Sequence, residues 1–333
     1  MTDHSTLRLG KRPRRHDART LKLARYVMSA LPPAPAAVDY TRGITDWGMM
    51  LNDQLGCCTI AAVGHAVQVW TANAGATEAS VPDPVILNYY KTWDGYNPAN
   101  PSSDQGGVEL DVLNDWRQQG FAGQSLDAYV GIDLGTRDKG QGTRETPSPQ
   151  PMSVLPMLDV MDAIWLFGGA YIGVELPVRA QTQEIWDVPA NLTSDDEPGS
   201  WGGHAIYVVG YDSGSTGSAI ADCRLTSESN SRLGIEGSAS GKQDSEFRIP
   251  DSGSGAPNSE SPAPCPLPPI PCPGTLTCIT WGQLKKMTWA WFEKYCSEAY
   301  ALVSKDWIKA SGLSPSGFDL ATLEADLKAV SGP

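Results

Sequence analysis

From Ser213 to Thr275 the chain runs on serine, glycine and proline, with Phe247 as its single aromatic residue. It closes on PAPCPLPPIPCPG, a polyproline-like run that carries Cys265 and Cys272. Such a stretch has no apolar periodicity with which to offset the entropy of ordering it. It therefore reads as a surface insertion, either without fixed structure or clamped by disulfides. Much of the chain's surplus of glycine and proline (34 and 26 of 333 residues) is held in this insertion and in turns. Cys265, Cys272 and Cys278 fit no common zinc spacing and no histidine lies among them, so neither metal nor cofactor is expected.

The two flanks differ in kind. Before the insertion, apolar residues recur at helical spacing. Cys58–Asn73 has Ile60, Val63, Val67 and Trp70 on one stripe, bounded by Gly56 and Gly75. Further helices are predicted at Arg19–Leu31, Pro84–Trp93, Glu109–Gln119, Val154–Leu166 and Phe318–Val330. Strands are predicted at Ala170–Leu176, His204–Tyr211, Cys278–Trp281 and Ala299–Val303, which are β-branched or aromatic runs bounded by Gly or Pro. In Met287–Tyr300, Trp289, Phe292 and Cys296 fall on one helical stripe and read as core. Helices first and strands second imply an α+β fold with two lobes.

Charge is divided as sharply. Residues 1–25 hold eight basic side chains (Arg8, Lys11, Arg12, Arg14, Arg15, Arg19, Lys22 and Arg25) against two acidic ones. The whole chain carries −13, so the remainder carries −19. A body that acidic repels nucleic acid. The arm itself reads as solvated, with docking on the acidic body, a nucleic acid or an assembly partner as its alternatives. No apolar h-region follows it, and no run is long enough to span a membrane.

Seven cysteines is an odd number, which leaves at least one thiol over in any pairing scheme. Cys58 opens a helix, where unpaired N–H groups and the helix dipole favour a thiolate. A thiolate nucleophile needs a base, and four histidines are available. His4 and His16 lie in the arm. His65 sits seven residues along the Cys58 helix, about 10.5 Å away, and cannot reach the thiol. His204 follows Gly202-Gly203 at the mouth of an apolar strand, a position suited to a base on the rim of a cleft.

Taken together, VDYTRGITDWGMMLNDQLGCCT, then GGHAIYVVGYD, then ITWG resemble the papain-like cysteine peptidase pattern, and the chain is similar to bacterial and phage proteins of that type. The likeness spans about residues 38–212 and 276–310. It implies a papain-like fold, with a helical lobe around Cys58 and a β-barrel-like lobe around His204. It divides the chain into a basic arm (1–37), a papain-like domain (38–312, with 213–275 inserted) and a C-terminal helix or tail (313–333). It also implies that Cys58 is the nucleophile, with Cys57 beside it a structural thiol or disulfide partner. His204 would be the general base, and Asn52 or Gln54 the side-chain oxyanion donor. The family's orienting Asn aligns with Ile279, which cannot hydrogen-bond, leaving Thr280 or Asp212 for that role. Trp201 and Trp281 would wall the cleft, and Glu298 could point into a specificity pocket. The implied activity is hydrolysis of peptide bonds in a peptide or protein substrate. A peptidoglycan-directed amidase of the CHAP type and a non-catalytic, virion-associated scaffold are the alternatives. Either a cytoplasmic or a virion-associated location fits.

Overall fold

The computed structural model describes residues 7–27, 33–74, 77–79, 81–134, 154–214, 274–305, 307 and 320–331. In chain order the elements are β1 (Ala37–Asp39), α1 (Cys58–Ala74), α2 (Asp83–Trp93), α3 (Glu109–Gln119), β2 (Ala128–Gly131) and α4 (Val154–Phe167). Then come β3 (Ala170–Leu176), β4 (Ile185–Trp186), β5 (Gly202–Asp212), β6 (Thr275–Thr280), β7 (Gln283–Thr288), α5 (Trp289–Tyr295), β8 (Cys296–Val303) and α6 (Leu320–Ser331).

The eight strands form one sheet in the order β2-β8-β3-β5-β6-β7-β4, with β1 joined to the far end of β5. All pairs are antiparallel except β4 with β7. Strands from both sides of the insertion meet, since β5 pairs β6 with Asp212 opposite Thr275. Among the described residues the end strands β2 and β4 do not pair with each other. The insertion itself falls, from 215 to 273, outside the described residues, and Cys265 and Cys272 with it.

Both faces of this sheet are covered. Along β5, Ala205, Tyr207 and Val209 join the apolar cluster built with α1, α2 and α3. The alternating Ile206 and Val208 join the opposite cluster with α4, α5 and Leu323 of α6. A strand buried on both faces reads as a continuous apolar run, as β5 does. For the same reason α1 is more than one-striped: every residue from Cys58 to Trp70 is buried, because helices and sheet enclose it.

Three expectations are corrected. Arg19–Leu31 is no helix: its described part holds only a 3₁₀ turn at Leu23–Arg25. Tertiary contacts take precedence there, with Gly131 N–H donating to Leu21 O, Tyr26 Oη donating to Asp326 at 2.9 Å and Arg25 paired to Asp326 at 3.0 Å. Met287–Tyr300 is helical only over Trp289–Tyr295, because its ends are drawn into β7 and β8 as sheet partners. Nor is the arm wholly solvated over its described part, residues 7–27: Lys11, Leu23 and Tyr26 are buried, while Arg8, Arg12, Arg15, Arg19 and Arg25 stay exposed.

Candidate active site

The turn from Met49 to Gly56 delivers the chain to the start of α1, and Cys58 is the first helical residue. Its thiol is fully buried beneath the first residues of β5, and Ala205 N–H donates to Cys58 Sγ at 3.4 Å. That bond sets the Cys58 sulfur against the residue that follows His204. The His204 ring is itself held on two sides. Its Nε2 lies 2.8 Å from Thr280 Oγ1, and its face stacks on Trp281 with centroids 4.2 Å apart. Its other nitrogen, Nδ1, is buried with no hydrogen-bond partner.

The β6–β7 hairpin makes this clamp. Thr280 and Gln283 pair across a two-residue turn in which Trp281 has φ +46° and Gly282 φ +69°. Two left-handed residues match the twist of a tight hairpin, but a tryptophan there costs about 1–3 kcal/mol. Stacking on His204 and a Trp281 Nε1 bond to Arg8 O at 3.2 Å hold it in place. Trp201 lies 5.4 Å from Trp281, and the two help line one cavity with Leu7, Met49 and Leu284.

The open choices among polar residues separate by position. Asn52 is buried and aims its amide at the groove, with Nδ2 donating to Leu55 O at 3.3 Å and Arg8 O at 3.5 Å. Gln54 is exposed. Thr280 reaches His204, whereas Ile279 turns to the opposite face and packs with the α1 cluster. Asp212 is exposed at the far end of β5, eight residues beyond His204. Cys57 is a buried thiol donating to Met50 O at 3.4 Å, and it forms no disulfide. His65 is a buried structural ring, 3.0 Å from Gln68 Oε1.

The groove is occupied by the chain's own arm; docking on the acidic body was one of the alternatives for the arm, but its place across Cys58 was not foreseen. Residues 8–12 cross it in extended form. Arg8 N–H donates to Asn52 O, Lys11 N–H to Gly203 O, Arg12 N–H to Gly107 O and Gly107 N–H to Gly10 O, at 2.8–3.1 Å. Gly10 presses so close that a methyl group on it would stand 1.7 Å from Gly56 O. The Lys11 side chain leaves the groove downward and is wholly buried, with Nζ 3.0 Å from Glu175 Oε1 and 3.1 Å from Glu298 Oε1. The signals for this docking were present in the opposed charges of arm and body and in the paired Gly106-Gly107.

Electrostatics follow from the closure. Burial pushes the Cys58 thiol up to about 12, against the weaker opposing effect of the Ala205 and Gly10 N–H groups. The helix-start argument for a thiolate therefore fails in this closed form, because loss of water outweighs the dipole. Burial likewise holds His204 down at about 3, so both groups rest neutral. Burial alone would lower the Lys11 ammonium, but Glu298, Glu109 and Glu175 together raise it above its usual range. Burial, then Glu298, raises the Glu109 carboxyl well above the ordinary carboxylate range. Among the described residues there is no group of three or more His, Cys, Asp or Glu placed to hold a metal ion.

Comparison with known proteins gives little. No family model matches the chain, and no curated protein does. Among solved structures, xylellain, a cysteine protease from Xylella fastidiosa, aligns with 64% of this chain and 82% of its own, at 17% identity and a TM-score of 0.39.

Proposed function

We propose that the chain is a papain-like cysteine peptidase whose groove is filled by its own arm. The observation that carries this is the His204 ring clamped between Thr280 and Trp281, with Nδ1 left unpartnered and Cys58 Sγ bonded to the next residue. With Nε2–H donating to Thr280, the lone pair on Nδ1 is the base that takes the thiol proton. The Cys58 thiolate attacks an amide carbonyl, and the oxyanion is met by Cys58 N–H and Asn52 Nδ2. The imidazolium then protonates the leaving amine, and water hydrolyses the thioester. Once the arm leaves, water reaches both groups, which relieves the burial that holds them neutral.

The test is labelling by a thiol-directed peptidyl inhibitor, read as intact mass, on the full chain and after limited proteolysis of the arm. Loss of the arm should speed modification at Cys58, and Cys58→Ala should abolish both labelling and peptide hydrolysis. Labelling that persists unchanged in Cys58→Ala overturns the assignment. The filled groove favours a second reading, a non-catalytic scaffold with the arm as a permanent strand. On that reading no peptide is hydrolysed even when the arm is gone.

A further inference from the structure

Lys11 sits in a pocket made for a cationic side chain. Its ammonium is paired to Glu175 and Glu298, and the charge of Glu109, the first residue of α3, also favours the ammonium. Glu298 is held in turn by Tyr300, whose Oη donates to Oε2 at 2.9 Å. Glu109 is fully buried, and neither of its carboxyl oxygens has a hydrogen-bond partner. Lys11 supplies an ammonium to the two carboxylates paired with it. Buried carboxyl groups are costly without a cation, and the body builds this cluster while the arm brings the charge.

The walls fit a long unbranched chain. Gly173 lies in β3, a central strand where glycine is unfavourable, and a methyl group there would stand 2.1 Å from Lys11 Cε. The β3–β8 register shifts at this residue, which opens the space between the strands. At the mouth, Gly107 and Gly203 offer backbone groups to either edge of an extended peptide. Main-chain bonds of that kind are independent of sequence, so selectivity falls to the side chain in the pocket.

We propose that this pocket selects substrates by a lysine or arginine side chain, and that Lys11 occupies it as the chain's own stand-in. This rests on the peptidase reading for the word substrate, but the pocket's charge preference does not depend on catalysis. An uncharged side chain of equal length leaves the carboxylates unpaired, and an acidic one adds to their repulsion.

Binding and labelling are measured separately. Calorimetry on the full chain carrying Gly10→Ala, which lifts the arm, with Lys11→Gln and Cys58→Ala uses tetrapeptide amides with lysine, norleucine or glutamate at one position. The lysine peptide should bind at least tenfold tighter than the norleucine peptide, and adding Glu298→Gln should erase most of that ratio. Lys11→Met is carried in parallel, and circular dichroism confirms that each variant is folded. Equal affinities, no binding by any peptide, or a preference that survives Glu298→Gln with Glu175→Gln overturns the pocket. Chloromethyl ketones of the same peptides on Gly10→Ala with Lys11→Gln alone report Cys58. Preference in binding without alkylation of Cys58 leaves the pocket standing and removes the peptidase, whereas alkylation without preference does the reverse.

Discussion

Replacing Gly10 by alanine isolates the arm's hold on the groove. The added methyl would stand 1.7 Å from Gly56 O and 2.3 Å from Gly56 C, both backbone atoms at the turn into α1. Ordinary contact is about 3.5–4.0 Å, so the arm must lift away at this point. Overpacking of this kind costs about 1–3 kcal/mol, and each 1.4 kcal/mol is about tenfold in a population. The open fraction should therefore rise roughly five- to a hundred-and-fortyfold. In the closed form Cys58 is held at about 12. From the 9.0 of an ordinary thiol, that is about a thousandfold less thiolate at neutral pH, which sets the ceiling on the gain. The assay is iodoacetamide alkylation at pH 7.5, followed by peptide mass spectrometry. Cys57 serves as internal reference, since it is also buried but points to Met50 O. Alkylation of Cys58 should accelerate at least about fivefold while that of Cys57 changes little. An unaltered Cys58 rate in folded Gly10→Ala protein would falsify the claim that the arm masks the thiol.

Other perturbations probe the site and the fold. Asn52→Ala should lower kcat of the arm-free protein by about 10²–10³ with little change in KM, as expected for loss of an oxyanion donor; an unchanged kcat removes Asn52 from that role. Thr280→Ala leaves His204 Nε2 buried without its partner, at a cost of about 1–3 kcal/mol. It should lower both melting temperature and turnover, with turnover restored most nearly by serine. Asp94 is pushed up to about 7, chiefly by burial and against the opposing bond from Thr59. Its folded pKa lies above the unfolded value near 3.9, so this contribution, at most about 4 kcal/mol, is present at low pH and lost as pH rises through 7. In Asp94→Asn, melting temperatures should fall less between pH 4.5 and 8 than in the parent. His65 runs the other way. Burial lowers it to about 4, so stability is full above about 6.5 and drains as pH falls toward 4. His65→Gln should flatten that acid limb, and an unchanged limb would refute the assignment.

The sequence alone determined the elements whose signal is local. Period-3.6 runs placed α1, α2, α3 and α4, and glycine-bounded apolar runs placed β3 and β5, because those segments bury faces that their own spacing creates. It also proposed Cys58 and His204 as candidates, from chemistry and from their places near the start of an element. Tertiary structure decided whatever depends on a distant partner. Short β2, β4 and β7 exist through their neighbours in the sheet, and β7 and β8 shortened a helix that looked sound by periodicity. Thr280 rather than Asp212 meets His204 because residues on a strand alternate faces and the hairpin turns at Trp281. Glu109, Glu175 and Glu298 come from α3, β3 and β8, and only folding brings them around one lysine. The basic arm was legible as charge; that it lies across Cys58 with Gly10 against Gly56 was set by a fit between backbones, which no composition encodes.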